Sequence, residues 1–327
     1  MGGSIRRNGW KVGAVFLGAL AVGAVVSVAE GPNGPGAQAD ERNLVIAGGG
    51  TSGVYYHYAD ALAAVSVDQL GVRAAVAETG GSVENLEMVA DGEAVMGFSA
   101  ADAAADAVGG QAGFEEPLPI EAVARVYDDF VHLVVAEGSD IESVSDITGR
   151  QVSLGAPGSG TAVIAFRLLA TAEVGLDEVD DARLGIDDSI QAFRDGEIEA
   201  FFWSGGLTTP GLHTLADDVP IDLVPLGDLV DHVSERYGHV YRHAIIPRGT
   251  YGVEEDVAAM AVPNYLVTHA DEDPALIHDL LDVAFSERAD LSRRVTAVGQ
   301  LDRRRAIFTE PVDLHPGALQ YYREAKP

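Results

Sequence analysis

From Asn43 onward the chain alternates strand-length apolar runs with helix-length segments, and glycine and hydroxyl residues make the joints between them. A strand at 43–47 ends in Gly48-Gly49-Gly50. A helix is expected over about 53–67, a strand at 72–77, a helix from Val83 that stops at Asp91-Gly92, and a strand at 94–98. Parallel neighbours need a crossover, and a helix supplies both the crossover and an apolar cover. Short Gly-rich joints in this rhythm therefore specify a mostly parallel α/β sheet. The pattern resumes with strands at 130–136 and 151–154, the joint Gly155-Ala156-Pro157-Gly158-Ser159-Gly160-Thr161, and a helix over about 162–173. An apolar strand at 262–269 precedes helical patterns at 275–285 and 287–298.

One device occurs twice. Ser82-Val83-Glu84-Asn85-Leu86, then Asp91-Gly92-Glu93, then Gly97-Phe98 reads helix, turn, strand. Asp188-Ser189-Ile190-Gln191-Ala192-Phe193, then Asp195-Gly196-Glu197, then Phe201-Phe202-Trp203 has the same order. In each copy the glycine stops the helix, and the strand leads to a polar loop at its carboxyl end. Two α/β lobes facing a cleft are expected: residues 40–138 with 259–327 as one, and 139–258 as the other. Strands 130–136 and 262–269 would cross between them.

Composition removes several functions. The 327 residues include no cysteine, so disulfides, thiolate metal sites, thiol catalysis and a cysteine-linked lipid are excluded. Lys+Arg number 21 against 51 Asp+Glu, a formal charge of −30 that would repel a phosphate backbone, so no nucleic-acid partner is expected.

The first 39 residues read as a signal peptide and spacer. Arg6, Arg7 and Lys11 precede an uncharged run at 12–29. Small-x-small sites follow at Ser27-Val28-Ala29 and Ala37-Gln38-Ala39. An exported, extracytoplasmic protein is expected, either cleaved after Ala39 or tethered by an uncleaved segment.

Three joints place glycines and hydroxyls where a strand enters a helix: Gly48–Gly53 with Thr51 and Ser52, Thr79–Ser82, and 156–161 with Ser159. Free amides and the helix dipole at such a joint favour an anion, and glycine permits close approach. Each joint alone is equally an ordinary helix cap. Together they allow a very acidic chain to hold a carboxylate on main-chain donors. Gly48, Gly50 and Gly53 also spell G-x-G-x-x-G, with Glu78 ending the next strand. That fingerprint keeps an exported NAD-type enzyme open as an alternative, although Tyr55, Tyr56 and His57 crowd its helix start. The sequence holds no nucleophile elbow and no H-E-x-x-H. His232, His239 and His243 fall at helical spacing, but Gly238 interrupts them, and no metal or cofactor is expected. Tyr55 and Trp203 fit either the core or a cleft wall. Arg125 is a candidate side-chain partner for a carboxylate, or a lobe-linking salt bridge.

Gly48-Gly49-Gly50-Thr51-Ser52-Gly53-Val54-Tyr55-Tyr56, Thr79-Gly80-Gly81-Ser82-Val83-Glu84-Asn85-Leu86 and the joint at 155–161, in this order and spacing, resemble the TAXI-type solute-binding proteins of tripartite ATP-independent periplasmic (TRAP) transporters. The likeness implies a type II periplasmic-binding-protein fold: two α/β lobes on a hinge that close on a small ligand. It implies a receptor without enzymatic activity that delivers a small glutamate-like or 2-oxoglutarate-like carboxylate, or an amino acid, to an ion-gradient-driven TRAP permease; a monomer is expected. A sensing subunit for a membrane signalling partner is the alternative. Carried over, the ligand contacts are Gly50, Thr51, Ser52 and Tyr55, then Thr79, Ser82 and Asn85, then Gly158, Ser159, Gly160 and Thr161. Asp102, Trp203, Gly205 and Gly206 match the remaining cleft loops. The sequence departs from the family at Ala162, where an acid is common, and at Ser99-Ala100-Ala101, where an amide is common.

Overall fold

The computed structural model describes residues 43–325; the expected export segment, residues 1–39, lies outside them. Chain order is β1 (Asn43–Ala47), α1 (Val54–Leu70), β2 (Arg73–Ala77), α2 (Ser82–Ala90), β3 (Met96–Ala100), α3 (Ala101–Gly109) and β4 (Ile120–Ala136). Then come β5 (Gln151–Ser153), α4 (Gly160–Thr171), β6 (Asp180–Asp181), α5 (Ile186–Arg194), β7 (Ala200–Gly205), α6 (Pro210–Asp218), β8 (Ile221–Leu223), α7 (Val230–Tyr237) and β9 (Arg242–Ile246). β10 (Val257–His269) is followed by α8 (Pro274–Ser286), α9 (Arg288–Arg294), α10 (Arg303–Ala306) and α11 (Pro316–Glu324).

The main path across the sheet is β2-β1-β3-β10-β4-β7-β5-β6, with β8 added on β4 and β9 on β10. β1 lies parallel between β2 and β3, and β5 lies parallel between β6 and β7. These two parallel sets share one order, and each has its switch point at its central strand. In open α/β sheets such a point leaves a crevice beyond the carboxyl ends of the strands. The long antiparallel pair β4 and β10 stands between the sets. β10 takes β3 through Asn264–Thr268, and β4 takes β7 through Phe130–Val135.

β4 begins ten residues earlier than its apolar stretch suggests, at Ile120. Arg125, Asp128 and Asp129 interrupt the hydrophobic run, but pairing with β10, continued across register shifts at Val126 and Val123, holds the backbone extended through them. The expected Asp-Gly-Glu devices occupy equivalent places, joining α2 to β3 and α5 to β7, with Gly92 and Gly196 both at positive φ.

Helices cover both faces of the sheet. α1, α8 and α11 bury Leu62, Leu281 and Tyr321 against Ile46 and Phe98. α5 and α6 bury Phe193 and Leu212 against Phe201. α2, α3 and α4 pack Leu86, Ala104 and Leu168 into one apolar cluster with Leu133 and Val262. No helix among the described residues is long and apolar enough to cross a membrane.

His132 is buried in β4. Its Nδ1 donates to the Trp203 carbonyl at 3.3 Å and its ring meets Tyr251 edge-on. Burial pushes its pKa down to about 4, partly opposed by the Trp203 and Phe130 carbonyls. A depressed histidine costs the native state nothing above pH 6.5 and destabilises it as pH falls toward 4. At 1.36 kcal/mol per unit, about 2 kcal/mol should be lost by pH 5. The melting temperature is expected to fall between pH 6.5 and 5, and His132→Gln to flatten that fall in calorimetry. An equal acid slope in the variant would assign the acid sensitivity to other groups.

Candidate functional site

The carboxyl ends of the two parallel sets face one cavity of about 380 Å³. From the first set it takes Gly48, Gly49, Gly50, Gly53, Thr79, Gly80 and Gly81, residues after β1 and β2. From the second it takes Gly155, Ser159, Gly160 and Thr161 after β5, and Leu184 to Asp188 at the start of α5. Tyr127 and Asp129 of β4, and Trp203 to Gly205 of β7, form the wall between.

The four helix starts at the cavity are not equivalent. In α2, two of the first amides are consumed: Val83 and Glu84 donate to the Gly158 carbonyl at 3.0 and 3.3 Å. The second glycine joint is therefore docked on the third rather than open to a ligand. At α5, Asp187 and Asp188 occupy the first turn and already complement its dipole. The α1 and α4 starts remain. The amides of Val54, Tyr55 and Tyr56, and those of Gly160 and Thr161, have no protein acceptor among the described residues. Ser159 caps α4 by accepting from Ala162 N at 3.0 Å.

The third joint needs its glycines for closeness. A Cβ on Gly160 would lie 2.6 Å from Ser82 Oγ, and Ser82 Oγ is itself held by the Ala100 amide at 3.0 Å. The tip of α4 thus rests almost directly on the tip of α2.

Of the residues assigned from sequence, Gly50, Tyr55, Thr79, Ser82, Ser159, Gly160, Thr161, Trp203 and Gly205 line the cavity. Several do not. Thr51 is exposed, with its hydroxyl 3.5 Å from Asp187, and Ser52 lies outside the lining. Asn85 is buried beneath the second joint, donating to the Phe98 carbonyl at 2.8 Å and accepting from Thr79 Oγ1 at 2.6 Å. It positions Thr79 from behind. Gly158 turns its carbonyl to α2 and lies behind the cavity wall. Gly206 packs on Tyr127 and Val54.

Asp102 and Arg125 require larger corrections. Asp102 faces Arg167 of α4 and accepts from the Tyr241 hydroxyl at 3.1 Å, so it belongs to a buried ionic cluster away from the cavity. Arg125 pairs with Asp128 at 2.5 Å on the same strand and lies outside the cavity lining. The histidines at helical spacing are split: α7 ends at Gly238, and His243 pairs with Asp231 at 3.0 Å. No group of three His, Asp or Glu among the described residues is placed to hold a metal.

Sequence reasoning missed Tyr127, Asp129 and Asp187, and placed Glu78 only in a dinucleotide fingerprint and Asp188 only at a helix start. A signal for Asp129 was present: an acid inside a strand-forming run, two residues from a tyrosine, places both on one strand face. Tyr55, stacked on Phe98, reaches with its hydroxyl to Asn264 Oδ1 and lies 3.4 Å from Ser82 Oγ. Burial first, then the nearby Asp129 carboxyl, pushes its pKa well up, so it stays a neutral hydrogen-bonding group. Trp203 is held by Nε1 donating to Thr209 Oγ1 at 2.9 Å.

Residues 46–325 match the NMT1-like family. Among solved structures, the chain is similar to a binding protein component of an ABC phosphonate transporter from Pseudomonas aeruginosa, with 11% identity, covering 79% of this chain and 80% of that one, TM-score 0.54. It is also similar to MatC from Rhodopseudomonas palustris with bound malate, with 13% identity, covering 86% and 95%, TM-score 0.53. The mixed α/β sheet with helices on both faces is the periplasmic-binding-protein fold that the sequence resemblance implied.

Proposed function

Since the chain belongs to the NMT1-like family, we propose that it is an extracytoplasmic solute receptor that captures a small acid between two lobes and presents it to a membrane permease. The observation that carries this is the convergence of unpaired amides from α1 and α4, one from each parallel set, on a single 380 Å³ cavity. Backbone donors bind an anion without a basic side chain, which suits a chain with a formal charge of −30. A solute touching both starts stabilises the arrangement that brings them together, and its differential affinity for that arrangement is the closing force. β4 and β10, which carry the sheet from one set to the other, are the natural hinge.

The related folds support the same role: one is a transporter's binding component and the other holds malate. The three glycine motifs favour a TRAP permease as the partner and a carboxylate as the cargo. A thermal-shift screen of the purified protein against small carboxylates, phosphonates, sulfonates and amino acids tests the proposal. A ligand that prefers the native state must raise the melting temperature, by an amount equivalent to about 2.7 kcal/mol at one hundred times Kd. No shift with any class, at millimolar concentration, would remove the receptor assignment.

A further inference from the structure

Asp129 is a cavity residue that simple anion capture leaves unused. It is 3% exposed and stands beside Tyr127 on the cavity face of β4. Neither its Oδ1 nor Nδ2 of Asn264 completes a hydrogen bond of ordinary geometry among the described residues, although the Asn264 amide and the Tyr127 hydroxyl stand near enough to favour its charged form. Burial pushes the Asp129 pKa up to about 7; Asn264 and Tyr127 pull it down, while Asp128 and Asp102 add to the rise. A buried carboxyl with no cation beside it destabilises a fold. Its place is explained if a cation arrives with the ligand.

The charge around the cavity has one sign. Its lining includes Glu78, Asp129, Asp187 and Asp188, and no lysine, arginine or histidine. A dianion would gain the α1 and α4 amides but would meet these acids with no counter-charge. A molecule with one acid group and one ammonium meets donors at one end and a carboxylate at the other. The two ends belong to one wall: Gly160 rests on Ser82, Ser82 neighbours the Tyr55 hydroxyl, and that hydroxyl bonds Asn264 next to Asp129.

We propose, resting on the receptor reading, that the solute is a zwitterion whose acid group takes the main-chain amides of α1 and α4 and whose ammonium takes Asp129. Recognition of this kind separates an amino acid from its deaminated skeleton, because loss of the ammonium leaves Asp129 buried without a counter-charge.

The test is calorimetry at pH 8 with matched pairs: alanine against propionate, leucine against 4-methylpentanoate, glutamine against glutaramate, with malate and 2-oxoglutarate as dianions. At least one amino acid is expected to bind, with its deaminated partner weaker by roughly 100-fold, the size expected when a buried charge loses its partner. Asp129→Asn should lose amino-acid binding by a similar factor and raise the melting temperature of the ligand-free protein at pH 8 by a few degrees. A residue needed only for structure would lower it. The wild-type pairs decide the matter even if the variant folds poorly. Equal binding of deaminated acids would overturn the proposal. So would dianion binding that strengthens below pH 7, the behaviour of Asp129, set among Asp128, Asp102, Tyr127 and Tyr55, donating a proton to a carboxylate. Binding of dianions alone leaves the receptor standing without the zwitterion; binding of no probe removes both.

Discussion

Gly160→Ala is expected to weaken solute binding by roughly tenfold or more, and Gly160→Leu to take it below detection, while both variants keep the native circular dichroism spectrum. The new Cβ would lie 2.6 Å from Ser82 Oγ, closer than real Cβ atoms come, and at a tight 3.2 Å from Ser82 Cβ. Ser82 has little room to yield, because its side chain is short and its oxygen is engaged by the Ala100 amide. The strain therefore falls on the separation of α4 from α2, which sets where the Gly160 and Thr161 amides point. Local stability moves the other way. Gly160 is a helical residue without positive φ, and alanine is favoured over glycine there by up to about 1 kcal/mol. Binding and helix stability should thus part company in one variant. Unchanged affinity by calorimetry would show that the contact between the two helix tips has no part in recognition.

The elements that build the cavity were legible because their signals are local. A glycine-rich joint between an apolar run and a helix-length segment locates β1, α1, β5 and α4 within a few residues, and Asp-Gly-Glu marks the helix stops before β3 and β7. What was not legible depends on partners far along the chain. The amides of the second joint look as available as those of the first until the Gly158 carbonyl, more than seventy residues later, is seen to accept from Val83 and Glu84. Asp102 has the look of a cleft acid until Arg167 is found against it. Arg125 has the look of an anion partner until the strand is extended through it and brings Asp128 within reach. The first half of β4 was hidden for the reason that makes it interesting. Asp129 breaks the hydrophobic pattern of a strand whose pairing with β10, well over a hundred residues away, supplies the order its own sequence does not. Local inconsistency inside an otherwise regular element marks a functional position more often than an error of folding.

Arg167→Met should be the most damaging single substitution away from the cavity. Arg167 is 6% exposed on α4, and its guanidinium meets Asp102 at 3.4 Å, Asp106, and the Tyr241 hydroxyl at 2.5 Å. Asp102 and Asp106 lie on α3, so the cluster ties a helix of the first parallel set to α4 of the second. Burial raises the Asp102 pKa and the Arg167 charge opposes that rise. Without the guanidinium two carboxylates face each other in an apolar setting, and breaking a buried pair from one side costs about 3–5 kcal/mol. That is a large part of a domain's whole stability. The cheaper response is for α3 and α4 to part and admit water. The expected result is a lower melting temperature, a larger radius of gyration in solution scattering, and weaker solute binding, since the α4 amides travel with the helix. Neutralising the acids as well, in Arg167→Met with Asp102→Asn and Asp106→Asn, should recover most of the melting temperature, because the desolvation penalty goes with the charge. If Arg167→Met alone left melting temperature, dimensions and affinity unchanged, the cluster would be a passive ion pair. The approach of α3 to α4 would then rest on apolar packing alone.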